Sequence, residues 1–577
     1  MIVTRRSFVA LGTAALAATP SLALPKQTLS PALDPGPYAA ALESVDGFVR
    51  QYLAELGAPG LTLVIADRTA IRHVASFGYA DLGTRAPVTP AHQFHIGSIS
   101  KSFVALALLQ LVDEGRVSLE DPIAKYLPGL RFESPAAPIT IHHLLTHTAA
   151  LPDGPLFPSD PAFWHRPAGP LGRDFHYCNM GWQALGHLIE VLDSGSLADS
   201  LQRRILTPLG MRATAPVISF ELAQQVVQSY WPARTDRPYP MHGSLVVAPR
   251  VMMTTGAGCV ASTPADMGRY VQMLLNGGLY AGGRLVSESA FAAFSTPHIA
   301  ALEFGPGTAY GYGIAVDTLD GHRRLRHTGG MTSFASALEV DLDSGLGVFV
   351  SVNAMQGVRP RPVAEFALRT CRASLERRAL PQRPAPLAPR HVAHPDHYVG
   401  HFYAENGAQI EVVHDGIGLL LRTAPSAEHP EGRALPLAPA SGAATVFVVR
   451  AEGIEHDWVV FPVVDSDAVV DSLGWGAAHY LRVGASRAPL PPVPSAWVAY
   501  PGHYRSEDPW SGSCHVILRA GRLWLDGVVP LEPVGDGRFW LRDEPTSPEW
   551  VGFDDLVGGR TMTMKLSGKP FERVTSG

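Results

Sequence analysis

Lysine is scarce in this chain. Only five of its 46 basic residues are lysine (Lys26, Lys101, Lys125, Lys565 and Lys569), and arginine carries nearly all the positive charge. No Lys/Arg-rich run occurs and the net charge is −6, which gives no polyanion-binding surface, so no nucleic acid partner is expected. Cysteine is scarcer still. Cys178, Cys259, Cys371 and Cys514 lie far apart with no CxxC spacing, so neither a structural zinc site nor a dense disulfide framework follows, and four buried thiols are the plain expectation. Long apolar runs are also missing near the start: the stretch from Ser7 to Ala18 is shorter than the ~18 residues a membrane span needs. No stable membrane anchor is expected.

What is present is globular. Hydrophobic residues make up 46% and charged residues 17% of 577 positions, and that length implies several domains. Residues 1–26 read as a leader: Arg5-Arg6 precedes a small-residue apolar run and then Ser21-Leu22-Ala23. This is the pattern of a twin-arginine signal, so a periplasmic or secreted location is expected.

From about Tyr38 to Thr370 helical and strand-like segments alternate. "PYAAALESVDGFVRQYLAELGAPG" has apolar residues at helical spacing and stops at Gly57 and Gly60, as helices do. "LTLVIADRTAIRHVASFGYAD" reads as a two-strand hairpin. The stretch starting at His322 gives strands separated by "GG" and "DSG" turns, and "RPVAEFALRTCRASLERR" follows as a helix. Strands at both ends with helices between predict one sheet completed by the two ends of the region. A linker with five prolines, residues 381–396, comes next. Beyond it the texture is short strands and Gly/Asp turns, with a weak repeat: "YVGHFYAENGAQIEVVHDGIGLLLR" from Tyr398 and "YPGHYRSEDPWSGSCHVILRAGRLWLDG" from Tyr500, separated by the proline-rich "SRAPLPPVPSA". The repeat predicts two antiparallel barrels, at 397–487 and 495–577, with a single β-sandwich as the alternative.

In "FHIGSISKSFVALALLQLVDEG", Ser98 stands three residues before Lys101 at the mouth of an apolar run. On a helix such residues share a face. A serine hydroxyl needs a base to become nucleophilic, and a lysine, unlike an arginine, can lose its proton when desolvated. Alone the pair is weak, because a helix cap followed by an ordinary lysine gives the same letters. Two other stretches strengthen it. Tyr177-Cys178-Asn179 is the one Tyr-x-Asn among 16 tyrosines, and His327-Thr328-Gly329-Gly330 stands at the expected start of an edge strand. "HHLLTH" sets His143 and His147 at helical spacing, but no Glu follows His143. It therefore reads as core histidines rather than metal ligands.

Ser-x-x-Lys, Tyr-x-Asn and a basic residue before Thr-Gly, in that order, resemble the class C β-lactamase-like family of penicillin-binding proteins, D-aminopeptidases, amidases and esterases. "DPIAKYLPG", "ITIHHLLTHTAALPD" and "YGYGIAV" extend the likeness from about Ala39 to Arg378, within a domain expected over residues 27–380. The resemblance implies an α+β fold: an antiparallel sheet flanked by helices, plus an all-helical subdomain, ahead of the β modules. It implies Ser98 as nucleophile, Lys101 and Tyr177 as its activators, Asn179, His327, Thr328 and Gly329 as substrate-binding, and the backbone N–H groups of Ser98 and Gly330 as the oxyanion hole. No metal or cofactor is implied. The expected partner is a small-molecule or short-peptide substrate, and a homodimer is compatible with this reading. β-Lactamases of this kind carry Lys where His327 stands, which turns the expectation toward an aminopeptidase or amidase. A carboxylesterase, or a β-lactam-binding sensor with little turnover, is the alternative.

Overall fold

A computed structural model of the protein describes residues 28–29 and 33–575, apart from 131, 135–136, 158–164, 166, 224, 233–244, 355–358, 387–389, 393, 428, 441–444, 450–457, 463–468, 486–489, 491, 509, 536 and 542–546. The leader expected over 1–26 lies outside the described residues. Among the described residues no helix is long and apolar enough to cross a membrane.

Helix α1 (Ala39–Leu56) buries Val45, Phe48, Val49, Tyr52, Leu53 and Leu56 on one side and ends where Gly57 turns left-handed at φ 64°. This is the conformation a glycine adopts without a Cβ penalty. The hairpin β1 (Gly60–Asp67) and β2 (Ile71–Asp81) follows. β1 is buried on both faces, and its residues alternate between two cores. Leu61, Leu63 and Ile65 meet α1, whereas Val64 and Ala66 join the larger core that holds α2 (Ser100–Asp113). Helix α3 (Asn179–Asp193) belongs to the inserted helical region, and α4 (Pro264–Leu275) packs on the same sheet face as α2.

Strands β3 (Ala315–Leu319), β4 (His322–Gly330), β5 (Ala335–Asp341) and β6 (Leu346–Val352) complete an antiparallel sheet of ten strands, β6 pairing with β1. The two ends of the region thus share one sheet, and α5 (Arg361–Leu375) closes its outer face beside α1. One expectation is corrected. His327–Gly330 ends β4 rather than starting it, and β4 lies inside the sheet. β3 pairs with β4 only as far as Arg326, whereas β5 continues to Gly330, so the last four residues of the strand have a ladder partner on one side only. The edge exists, but at the opposite end.

The C-terminal part is two closed antiparallel barrels of eight strands, Gly400–Arg482 and Gly502–Arg573; the sandwich alternative is set aside. The repeat has a physical cause. In the first barrel Arg482 donates to the carbonyls of Val399 (2.5 Å), Val470 (2.5 Å) and His397 (3.2 Å), and its guanidinium sits 4.8 Å from the Phe402 ring centroid. In the second, Arg573 donates to Pro501 (2.8 Å) and Ala499 (2.9 Å) and sits 4.9 Å from the Tyr504 ring. A Cβ on Gly400 or Gly502 would collide with the corresponding guanidinium. The repeated Tyr-x-Gly-His-aromatic is the seat of a half-buried arginine that ties the last strand to the first.

Candidate active site

Ser98 sits on a short 3₁₀ turn, Gly97–Ile99, that leads into α2, two residues ahead of the helix proper. Gly97 is left-handed (φ 54°), and a Cβ there would lie 2.7 Å from Gly330 N. A Cβ on Gly329 would collide with the Ile96 carbonyl. Only glycines at these two places let the serine turn and the end of β4 touch backbone to backbone. The turn that carries Ser98 and the backbone of Gly330 are thereby brought together.

Lys101, one turn along, is completely buried. Its Nζ bonds Asn179 Oδ1 (2.8 Å), the Ala257 carbonyl (2.8 Å) and Ser98 Oγ (3.1 Å). Burial lowers its pKa to about 7, and the charge of Asp153 works the other way. The three contacts distinguish themselves chemically. Two partners are oxygens that only accept, so they take the two hydrogens of a neutral amine, and the lone pair is left facing the Ser98 hydroxyl. A buried lysine whose pKa lies near neutrality, with its remaining direction on a serine, has the arrangement that general-base chemistry requires.

Tyr177 and Asn179 stand at the entry of α3. The Tyr177 hydroxyl bonds Ser98, but burial dominates and drives its pKa far up, so it rests as a phenol. Its ring stacks on buried His147 at 4.3 Å between centroids and lies 4.8 Å from Lys101 Nζ. Asn179 is oriented from both sides: its oxygen faces Lys101, and its Nδ2 donates to Asp153 Oδ2 at 3.0 Å. Asp153 Oδ1 also accepts from the backbone N–H groups of Asn179 (2.8 Å) and Met180 (3.1 Å). It supplies the free donors of the α3 N-terminus with a carboxylate, as the helix dipole favours.

This arrangement has relatives. The family model described as Beta-lactamase matches residues 45–370. The chain belongs to the beta-lactamase family. It is 26% identical to penicillin-binding protein 4* of Bacillus subtilis over 48% of this chain, and spans 64% of that protein's length. It is 29% identical to penicillin-binding protein 4 of Amycolatopsis lactamdurans, covering 50% of this chain and 79% of that one. Among solved structures, the octameric penicillin-binding protein homologue from Pyrococcus abyssi aligns at a TM-score of 0.54 with 25% identity, over 76% of this chain and all of that one.

Within the beta-lactamase fold His327 is corrected. The sequence places it at the substrate, but it is an interior residue with 1% exposure. Its Nδ1–H donates to the Thr328 carbonyl (2.7 Å) and its Nε2 accepts from the Tyr310 hydroxyl (2.9 Å). A carbonyl only accepts, which fixes this tautomer and leaves no ring hydrogen for a ligand. Burial first, then the neighbouring charge of Lys101, lowers its pKa to about 3, so it carries no charge either. Of its neighbours, Thr328 is exposed and Gly329 is buried. The cleft is instead lined by Gly330, Met331 and Thr332.

That cleft, about 830 Å³, opens on Ser98 and Asn179 and has two owners. Trp231, Met253 and Met331 line it from the beta-lactamase-like domain; Arg505, Glu507, Asp508, Trp510, Lys569 and Glu572 line it from the second barrel. Sequence reasoning missed Asp153, Tyr310 and the barrel residues, and it read His147 as a core histidine, which its burial bears out. The "LPD" that ends in Asp153 was visible as part of the family likeness, without a role.

Proposed function

We propose that the protein is a serine hydrolase that cleaves a small amide through an acyl-enzyme on Ser98. The observation that carries the reading is the environment of Lys101: two acceptors hold its hydrogens and the third direction is Ser98 Oγ. Lys101 takes the hydroxyl proton as Oγ attacks the carbonyl carbon. The oxyanion meets the N–H groups of Ser98 and Gly330, each such donor contributing about 3 kcal/mol. Tyr177 gives a proton to the leaving nitrogen, the C–N bond breaks, and the proton on Lys101 restores the phenol. Water then repeats the sequence on the ester. Within this class we favour an aminopeptidase or amidase acting on a substrate with an ammonium group, because the second barrel lines the cleft that holds Ser98 with three acidic residues, Glu507, Asp508 and Glu572, against two basic ones, Arg505 and Lys569. The twin-arginine leader adds export to the reading.

The test is hydrolysis of D-alanine p-nitroanilide and p-nitrophenyl butyrate, by the full chain and by Ser98→Ala. We expect the anilide to be cleaved and Ser98→Ala to lose about 1,000-fold or more. Cleavage of the ester alone would make the protein an esterase on the same groups, and activity surviving Ser98→Ala would end the acyl-enzyme reading.

A further inference from the structure

The second barrel does more than wall the cleft. Glu549, at the foot of the strand Trp550–Val557, reaches the catalytic domain: its Oε1 accepts from Asp153 N–H at 2.7 Å and lies 3.0 Å from His176 Nε2. Its other oxygen accepts from Ser567 Oγ, and Ser567 Oγ accepts in turn from Trp550 N–H (3.2 Å). A Cβ on Gly154 would lie 2.5 Å from the Ser567 carbonyl, so the two backbones are in direct contact there. Lys569 Nζ stands 3.8 Å from Asp153 Oδ2.

The chain of contacts runs on without a gap. Asp153 holds the carboxamide of Asn179 and the first two N–H groups of α3. Asn179 holds Lys101 at 2.8 Å, and Lys101 faces Ser98. On the other arm, His176 precedes Tyr177 in the chain and donates its own N–H to the His147 carbonyl (2.8 Å), while the His147 ring stacks on Tyr177. Glu549 therefore touches the supports of both the base and the acid. It is mostly buried, with 19% side-chain exposure, so its bonds are not competed away by water as a surface pair's would be.

Resting on the serine-hydrolase reading, we propose that Glu549 of the second barrel is a positioning residue for catalysis: through Asp153 it sets Asn179 and thereby the direction of Lys101 toward Ser98. The catalytic constellation is complete only with that barrel docked. A carboxamide that loses one of its two anchors can rotate, and Lys101 then loses the acceptor that keeps its lone pair on the serine.

The test is the rate at which an alkyl fluorophosphonate labels the full-length protein. Ser98 Oγ bonds to phosphorus, fluoride leaves, and the proton passes to Lys101, so the rate reads nucleophile activation without the natural substrate. We expect Glu549→Ala to label about 10-fold or more slowly, the scale on which small misplacements act, and to lower kcat for the cleaved substrate more than it raises KM. Glu549→Gln, whose amide oxygen can still accept from Asp153 N–H, should recover to within about threefold of wild type, a rescue that loss of barrel packing alone would not explain. Glu549→Ala labelling at the wild-type rate, with Ser98→Ala unlabelled, would overturn the positioning role and leave the hydrolase reading intact. A wild type that does not label, or a Ser98→Ala that does, would overturn both. Should Glu549→Ala fail to fold, Glu549→Met decides: it keeps the length of the side chain but offers no oxygen to the Asp153 N–H, so slowed labelling supports the role and unchanged labelling overturns it.

Discussion

The two barrels close in the same way and differ in what they touch. Arg482 and Arg573 each lie across the first strand of their barrel, over an aromatic ring and a glycine with no room for a Cβ. Yet among the described residues the cleft at Ser98 is lined by the second barrel and not by the first. The first barrel meets the second, where Arg519 donates to the Gly476 carbonyl at 2.9 Å. Two copies of one design thus have unequal consequences: the closure makes a stable module, and only the loops and strand feet that face Asp153 and His176 make it part of a reaction site.

The largest effect that could break this comparison comes from the closing arginines themselves. Arg573→Met and Arg482→Met each strip carbonyl oxygens of a charged donor, and each should cost about 2–4 kcal/mol in urea unfolding. Only Arg573→Met should also slow fluorophosphonate labelling of Ser98, by about 10-fold or more. Equal slowing by both would mean that the first barrel serves the site as well.

A smaller effect sharpens the comparison through pH. Lys101 is lowered to about 7 by burial, so labelling should rise as pH passes that value and level off above it, because the neutral amine is the active form. Asp153, Cys178, Cys259, His147 and His327 all face Lys101 electrostatically, and Asp153 is the one that opposes its deprotonation most. Removing a negative charge disfavours the ammonium, so Asp153→Asn should move the midpoint to lower pH. Glu411→Gln, a charge change on the first barrel, should leave the midpoint where it is. The smallest expected effect is a control: Tyr403 is exposed on the first barrel, and Tyr403→Ser should change stability by no more than about 0.5 kcal/mol and the labelling rate not at all.

What the sequence made legible was local. α1 and its Gly57 stop, the β1–β2 hairpin, the repeat, and the pairs Ser98/Lys101 and Tyr177/Asn179 are all written within a few residues of each other. What it hid was long-range. Asp153 and Glu549 are 396 residues apart, and no periodicity connects a loop to the foot of a distant barrel strand. His327 shows the middle case. Its residue type was readable at a motif position, but whether its ring meets a ligand depends on Tyr310, which fills its Nε2 from another strand. The repeat glycines were visible as a pattern, and their reason, an arginine arriving with the last strand, was not.

The strand Lys569–Arg573 has a consequence for how the protein comes into being. It carries the arginine that closes the second barrel and the lysine beside Asp153, and it follows every other strand of the two barrels in the chain. During synthesis the domain bearing Ser98 can therefore fold well before its cleft acquires its second wall. On the reading proposed above, a nascent chain, or one clipped ahead of Lys569, would hold Ser98 in an open, poorly aligned site, and full reactivity would report that the second barrel has been made and has docked.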